Sequence, residues 1–329
     1  GSNPSVLGYD ISDGPTKNKD GNFDNNKSQW QNVIKKDPKN IFSLTDKAIQ
    51  FIDICSEKNL PFFLQISHYA VHSNIESKSK SYTHFKEKPK GNQHIDPGFA
   101  AMTFNLDESL GILLKKIKDL GLEDNTYIIY MSDNGSVPNI PGAKKYDKSY
   151  NYPLSRGKWD AYEGGIRVPL IVAGPGIKNG SESSIPVSGS DILPTLIDLA
   201  GYRKVVLSEI DGGSFASVLF NKNIKQIKRE VEGIFFHVPY KNGIAIKRPH
   251  SAVRKGDYKL IKFEDDKSIL LFNLVKDKIE QLNIAAQNPQ KAKELEEILD
   301  SYLADVQAPK WKDGITWKNI PLEQINSSY

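Results

Sequence analysis

The chain has 329 residues, a formal net charge of +4 and 38% apolar residues. That is enough for a large core in one large or two unequal domains. Acids and bases nearly balance and no basic run is dense, which argues against a nucleic-acid binder. A single cysteine, Cys55, excludes an internal disulfide and a cysteine-rich metal site. No stretch approaches the roughly 20 apolar residues that span a bilayer.

No signal-peptide pattern is read in the given residues, and Gly1-Ser2 reads as the remnant of a cleaved tag. Residues 3–40 are polar and turn-rich and predict an irregular loop region. Thr45 is the expected N-cap of a helix bearing Ala48, Ile49, Phe51, Ile52, Ile54 and Cys55, ended by Asn59 and Pro61. Cys55 reads as a small core residue. Phe62–Ser67 is a predicted buried strand that delivers His68 and His72. Residues 73–98 read as a polar loop in which His84 and His94 have no assigned role. Leu106, Leu110, Leu113, Leu114, Ile117 and Leu120 mark an amphipathic helix closed by Gly121. Thr126–Met131 and Pro169–Ala173 are further buried strands. The loop between them, with Tyr146, Tyr150 and Tyr152, is expected to shape access to a site. Alternating strands and helices argue for a largely parallel sheet with helices on its faces. Gly189–Gly201 reads as a helix with Pro194 in its first turn. A Lys/Asn-rich stretch near 221–229 marks a domain boundary, giving an α/β unit over 1–225 and a smaller unit over 226–329. The latter holds predicted antiparallel strands at Val231–His237, Ser251–Phe263 and Ile269–Leu274, then a helix from Pro289.

The chemistry gathers at strand ends, where open α/β sheets hold ligands. Asp133 and Asn134 follow a strand directly and offer side-chain oxygens suited to a hard cation such as calcium. Gly135 permits a sharp turn after them. Taken alone, Asp-Asn-Gly mostly makes turns. His68 and His72 share another strand end, but their spacing fits a zinc pair only on a helix.

The second half of the motif adds specificity. Ser132-Asp133-Asn134-Gly135 is followed by Gly157-Lys158, by Glu163-Gly164-Gly165-Ile166-Arg167-Val168-Pro169 and by Ser190-Asp191-Ile192-Leu193-Pro194-Thr195-Leu196. This combination, in this order, resembles the sulfatase family of the alkaline phosphatase superfamily. The resemblance implies a mostly parallel mixed sheet sandwiched by helices, plus a small C-terminal α+β subdomain with an antiparallel sheet. It implies hydrolysis of sulfate monoesters, on a sulfated carbohydrate or an aryl sulfate, with one calcium ion held in part by Asp133 and Asn134. Lys158 would contact the sulfuryl oxygens as a compact charge. His72 would meet the ester oxygen, Arg167 would buttress the loop, and His68 would lie behind His72. Asp13 lies in a segment that borders the pocket in the family, and His237, Arg248 and His250 are candidates for the substrate rim. A periplasmic or secreted location is implied.

Three family features are missing. The formylglycine nucleophile comes from a Cys/Ser-x-Pro-x-Arg motif, which does not occur in the 329 residues. An N-terminal Asp-Asp pair and a Gly-Lys-Trp-His motif are also missing, and Val71-His72-Ser73-Asn74 lacks the usual proline. The expectation is a fragment without its N-terminal part, catalytically inactive alone, binding calcium weakly or not at all. A missing segment or an oligomer partner would then complete it. Two alternatives stay open: a phosphomonoesterase or phosphodiesterase of the same superfamily, with two transition metals, and a non-catalytic module that binds sulfated glycans.

Overall fold

The computed structural model describes residues 4–14, 31–91, 96–137, 151–202, 210–220, 223–240 and 248–311. His94, Tyr146 and Tyr150 lie outside them. In chain order the elements are β1 (Val33–Ile34), α1 (Ile41–Glu57), β2 (Glu76–Ser77), α2 (Ser79–Glu87), α3 (Pro97–Asp119) and β3 (Ile128–Met131). There follow α4 (Glu163–Ile166), β4 (Leu170–Ala173), α5 (Ile192–Leu199) and α6 (Ala216–Phe220). The C-terminal unit comprises β5 (Ile234–Val238), β6 (His250–Lys255), β7 (Tyr258–Phe263), β8 (Ile269–Asn273) and α7 (Pro289–Asp305).

Helix α1 starts four residues before the expected Thr45 cap. Asp37 accounts for the difference: its carboxylate accepts from the amides of Phe42 at 2.8 Å and Ser43 at 3.1 Å. Thr45 is instead buried inside the helix, its hydroxyl donating to the Ile41 carbonyl at 2.7 Å. Helix α3 also begins early, because Asp96 accepts from the Gly98 and Phe99 amides and Pro97 occupies the first turn. Helix α2 falls in the predicted loop. Its Ser, Lys and Thr residues carry little apolar periodicity, and α3 holds it from outside. Asn105 donates to Ser81 Oγ at 2.7 Å and accepts from the Lys78 amide at 3.0 Å, while Phe104 meets Phe85 at 5.7 Å.

Ala48 and Ile52 of α1 join Leu113 and Ile117 of α3 in one core cluster, with Phe62, Leu64 and Ile66 packed against it. The 61–67 run therefore has the alternation of a strand, and Phe63 on its other side is 56% exposed. It pairs with no strand among the described residues, so the expected strand is present as an unpaired run. Strands β3 and β4 pair antiparallel, Ile129 opposite Val172 and Met131 opposite Leu170. They are half exposed rather than fully buried, with Ile171 at 62%. Parallel pairing among the described residues is limited to β1 with β2. The class is α/β with mixed sheets, followed by a four-stranded antiparallel meander in the order β5-β6-β7-β8.

Strict alternation builds the C-terminal unit. Val253, Leu260 and Leu271 face Ala292, Leu295 and Leu299 of α7. Ala252, Ile261 and Phe272 face the other way, onto Ala161 and Tyr162 of the 151–169 arm. Burial of each such side chain contributes about 1.5–3 kcal/mol. The arm that carries Lys158 is thus a layer of the C-terminal sheet as well as a neighbour of β3.

Candidate active site

The end of β3 and the arm are sewn together through the backbone. The Gly135 amide donates to the Gly165 carbonyl at 2.9 Å, and the Lys158 amide donates to the Ser136 carbonyl at 2.9 Å. Asn151 closes the seam, accepting from the Ser136 amide at 2.9 Å and donating to the Ser136 and Arg156 carbonyls. The approach is so close that a Cβ on Gly135 would lie 1.8 Å from the Gly164 oxygen, and one on Gly164 would lie 2.3 Å from the Ser155 oxygen. This explains why glycine stands on both sides of the seam. The arm itself is strained: Arg156 and Trp159, neither a glycine, have φ of 62° and 70° on either side of Lys158. Such conformations cost of order 1–3 kcal/mol each and persist where the surroundings enforce them.

Here the surroundings are a buried ion cluster. Lys259 of β7 and Glu163 of the arm, both fully buried, meet at 2.9 Å, and Lys259 also pairs with Glu280. The Glu163 amide donates to Glu280 at 2.6 Å. Arg167 and Arg254 flank Glu163 at 3.7 and 3.8 Å. Burial outweighs the pull of Lys259 and pushes the Glu280 carboxyl up to about 7.

Across this seam stands His72, after the 61–67 run. Its amide donates to the Tyr69 carbonyl at 2.9 Å, and its Nδ1 lies 2.8 Å from the Ser73 carbonyl, a contact in which the ring must donate. The ring stacks on Tyr69 at 4.9 Å and 18°. Burial lowers the His72 pKa, the charges of Lys158 and Lys39 lower it further, and Asp133 opposes them. Burial also lowers Lys158, again opposed by Asp133. The fields of His72, Lys158 and Asp133 therefore overlap at one end of β3. Asp133 is exposed; Asn134 is half-buried, its carbonyl accepting from Ser132 Oγ at 3.1 Å. Carboxylate and amide oxygens suit calcium, which takes about six to eight oxygen ligands. Among the described residues no group of three or more His, Cys, Asp or Glu could hold a metal ion, so two donors leave most of such a shell to be supplied elsewhere.

The other candidates lie differently. His250 is 2% exposed; its Nε2 accepts from the Ala161 amide at 3.0 Å and its Nδ1 donates to the Arg248 carbonyl at 2.7 Å. Buried and bonded on both sides, it pins the arm and is not on a substrate rim. His237 has one nitrogen 2.8 Å from Ser251 Oγ and the other 2.6 Å from the Pro309 carbonyl. Arg248 is held by Asp265 and Asp266 and lies over Phe263. Asp13 pairs with Lys47 at the surface. None of these four is brought to His72 or Lys158 by a described contact. His68 lies beside Tyr69 with both ring nitrogens buried and unbonded among the described residues, and burial lowers its pKa. His84 lies edge-on to Phe85, at 5.0 Å, on α2. Sequence reasoning missed Lys39, whose field reaches His72, and the Lys259–Glu163–Glu280 cluster. No local motif flags either one.

This arrangement has relatives. A family profile described as Sulfatase matches residues 8–202, and another, N-sulphoglucosamine sulphohydrolase, C-terminal, matches residues 157–322. The chain belongs to the sulfatase family, within the alkaline phosphatase superfamily. It is 30% identical over 286 residues to a sulfatase of Formosa agariphila, a match covering 81% of this chain and 49% of that protein. It is 32% identical over 206 residues to the N-acetylglucosamine-6-O-sulfatase of Bacteroides thetaiotaomicron, covering 61% and 34%. The crystal structure of Ps i-CgsB superposes with a TM-score of 0.68 at 26% identity, covering 87% of this chain and 60% of that one. The chain thus spans about half, or less, of the length of the curated relatives it matches.

Proposed function

We propose that this chain is part of an enzyme that hydrolyses sulfate monoesters on a sulfated carbohydrate. Its share of the site is the cationic side of the sulfuryl pocket and two oxygens of a calcium shell. The observation that carries this is that Lys158 and Asp133 both lie close enough to His72 for their charges to act on it, and Asp133 close enough to act on Lys158. A relative with 32% identity is an N-acetylglucosamine-6-O-sulfatase, which supports a sugar sulfate as the substrate class.

In this reading Lys158 balances charge on the sulfuryl oxygens as the S–O bond to the leaving oxygen breaks. Burial and the charges of Lys158 and Lys39 lower the His72 pKa against the Ser73 hydrogen bond and Asp133, which favours the neutral imidazole before an anion binds. A bound sulfate ester adds negative charge beside it and favours the imidazolium. With Nδ1 donating to the Ser73 carbonyl, Nε2 is the nitrogen that passes a proton to the leaving oxygen. Asp133 and Asn134 would hold the cation, which neutralises the sulfuryl group when bound. A formylglycine outside these 329 residues would supply the nucleophile. Exposed apolar side chains on β4 and the 61–67 run, among them Ile171 and Phe63, support a further polypeptide segment or partner covering them. A periplasmic or secreted site of action belongs to the same proposal.

The test is calorimetric titration of the chain with an aryl sulfate. Lys158→Met should weaken binding about tenfold, the worth of one partly desolvated charge contact. Asp133→Ala should abolish any calcium enhancement of that binding. Equal affinity in all three proteins overturns the reading.

A further inference from the structure

Lys39 belongs to none of the motifs, yet the fold spends strain on it. It and Asn40 have φ of 52° and 56°, two successive left-handed residues that are not glycine. Two carboxylates keep this turn in place. Glu76 accepts from the Lys39 amide at 2.8 Å, and Asp37 caps the start of α1 just beyond. The turn sends the Lys39 side chain inward, where its ammonium lies 4.9 Å from the centroid of the Tyr69 ring. That ring is the one stacked on His72 at 4.9 Å. Among the described residues no acceptor lies within hydrogen-bonding or ion-pairing distance of the Lys39 ammonium. Burial lowers its pKa, and Glu76 acts on it only through its field.

A partly buried ammonium resting on an aromatic face retains most of its capacity to donate. Its field reaches His72, though Lys158 acts on that ring more strongly. Lys39 and His72 share Tyr69 as a neighbour, the ammonium and the imidazole each 4.9 Å from the centroid of its ring, so a second group on a ligand bound at His72 is within reach of Lys39. An anion held between His72 and Lys158 would leave Lys39 available to a neighbouring one.

We propose that Lys39 is a specificity residue that takes a second anionic group, a sulfate or a carboxylate, on the sugar chain whose scissile sulfate is held by His72 and Lys158. This rests on the function proposed above. It makes the preferred substrate a polyanionic glycan rather than one with a single charge. Tyr69 is then shared by the two subsites, in contact with the cation of one and the imidazole of the other.

The experiment is calorimetric titration of the 329-residue chain, at one ionic strength, with three probes. These are a monosulfated disaccharide, its disulfated counterpart, and its counterpart with one sulfate and one uronate carboxylate. The unaltered chain should prefer one or both dianionic probes. Lys39→Gln should cut that preference about tenfold, and Lys39→Arg, which keeps the charge, should retain it. The probe that loses more identifies the second group as sulfate or carboxylate. No preference in the unaltered chain, an unchanged preference in Lys39→Gln, or equal loss in Lys39→Arg overturns the proposal. Lys158→Met separates the two readings. It should weaken all three probes alike, and if it does not, the scissile-anion assignment fails whatever Lys39 does.

Discussion

His72 and His68 end the same run of chain, four residues apart, and their surroundings give them opposite characters. His72 has a backbone partner, an aromatic neighbour and three charges acting on it. His68 has two buried ring nitrogens with no partner among the described residues. An unbonded buried polar group costs about 1–3 kcal/mol. Replacing His68 by Leu, of similar bulk and without those nitrogens, should therefore leave stability unchanged or raise it, as read from urea unfolding. A loss above about 1 kcal/mol would mean that the ring has a partner after all, and that His68 is a working part of the site.

At the scale of elements, β7 reaches across the molecule to the arm. Lys259 is the buried cation that balances Glu163 and Glu280, and removing one partner of such a set costs about 3–5 kcal/mol. Lys259→Met should lower stability by that amount. Adding Glu163→Gln and Glu280→Gln should recover part of it, since the two carboxylates Lys259 balanced are then neutral, while Arg254 loses its partner Glu163. If the single substitution is neutral in urea unfolding, the cluster does not hold the arm. The same cluster has a pH signature. The Glu280 carboxyl is raised from 4.5 to about 7 in the folded chain, so the folded state holds the proton more tightly than the unfolded chain does. Its contribution to stability is complete below pH 4.5 and is lost as pH rises to about 7, an effect on the order of 3 kcal/mol. Glu280→Gln should remove this slope between pH 5 and about 7 in a series of unfolding curves. A slope equal to that of the unaltered chain would assign it to another group.

For the whole molecule the telling feature is apolar surface. Ile171 on β4, Leu193 on α5, Leu60 just before the 61–67 run and Phe63 within it are each more than half exposed. Large apolar patches mark interaction surfaces or association hazards. The chain alone should bind a hydrophobic dye such as ANS and should associate as its concentration rises. It should also show no turnover of an aryl sulfate, since no Cys/Ser-x-Pro-x-Arg motif is present to supply the nucleophile. Sustained hydrolysis by the 329-residue chain would require a nucleophile from within it and would sink the proposed division of labour.

Much of this was legible in the residues. Apolar runs ending in Asp133-Asn134-Gly135, and glycines at 135, 164 and 165, are local signals, because a strand's length and a turn's backbone depend on near neighbours. The C-terminal strands and α7 were readable for the same reason: periods of two and of about 3.6 are written in consecutive residues. Less visible were contacts between distant segments. Helix α2 owes its place to Asn105 and Phe104 of α3, and α1 begins where Asp37 caps it. Lys39 meets Tyr69 at a sequence separation of 30, and Lys259 meets Glu163 at one of 96. His250 looked like a rim residue in its local context, yet it is sealed beneath the arm. Family and strand-end chemistry belonged to the sequence; which charges act on one another, and which only hold the arm in place, depended on how the chain closes on itself, because Coulomb energy and desolvation are set by distance and burial.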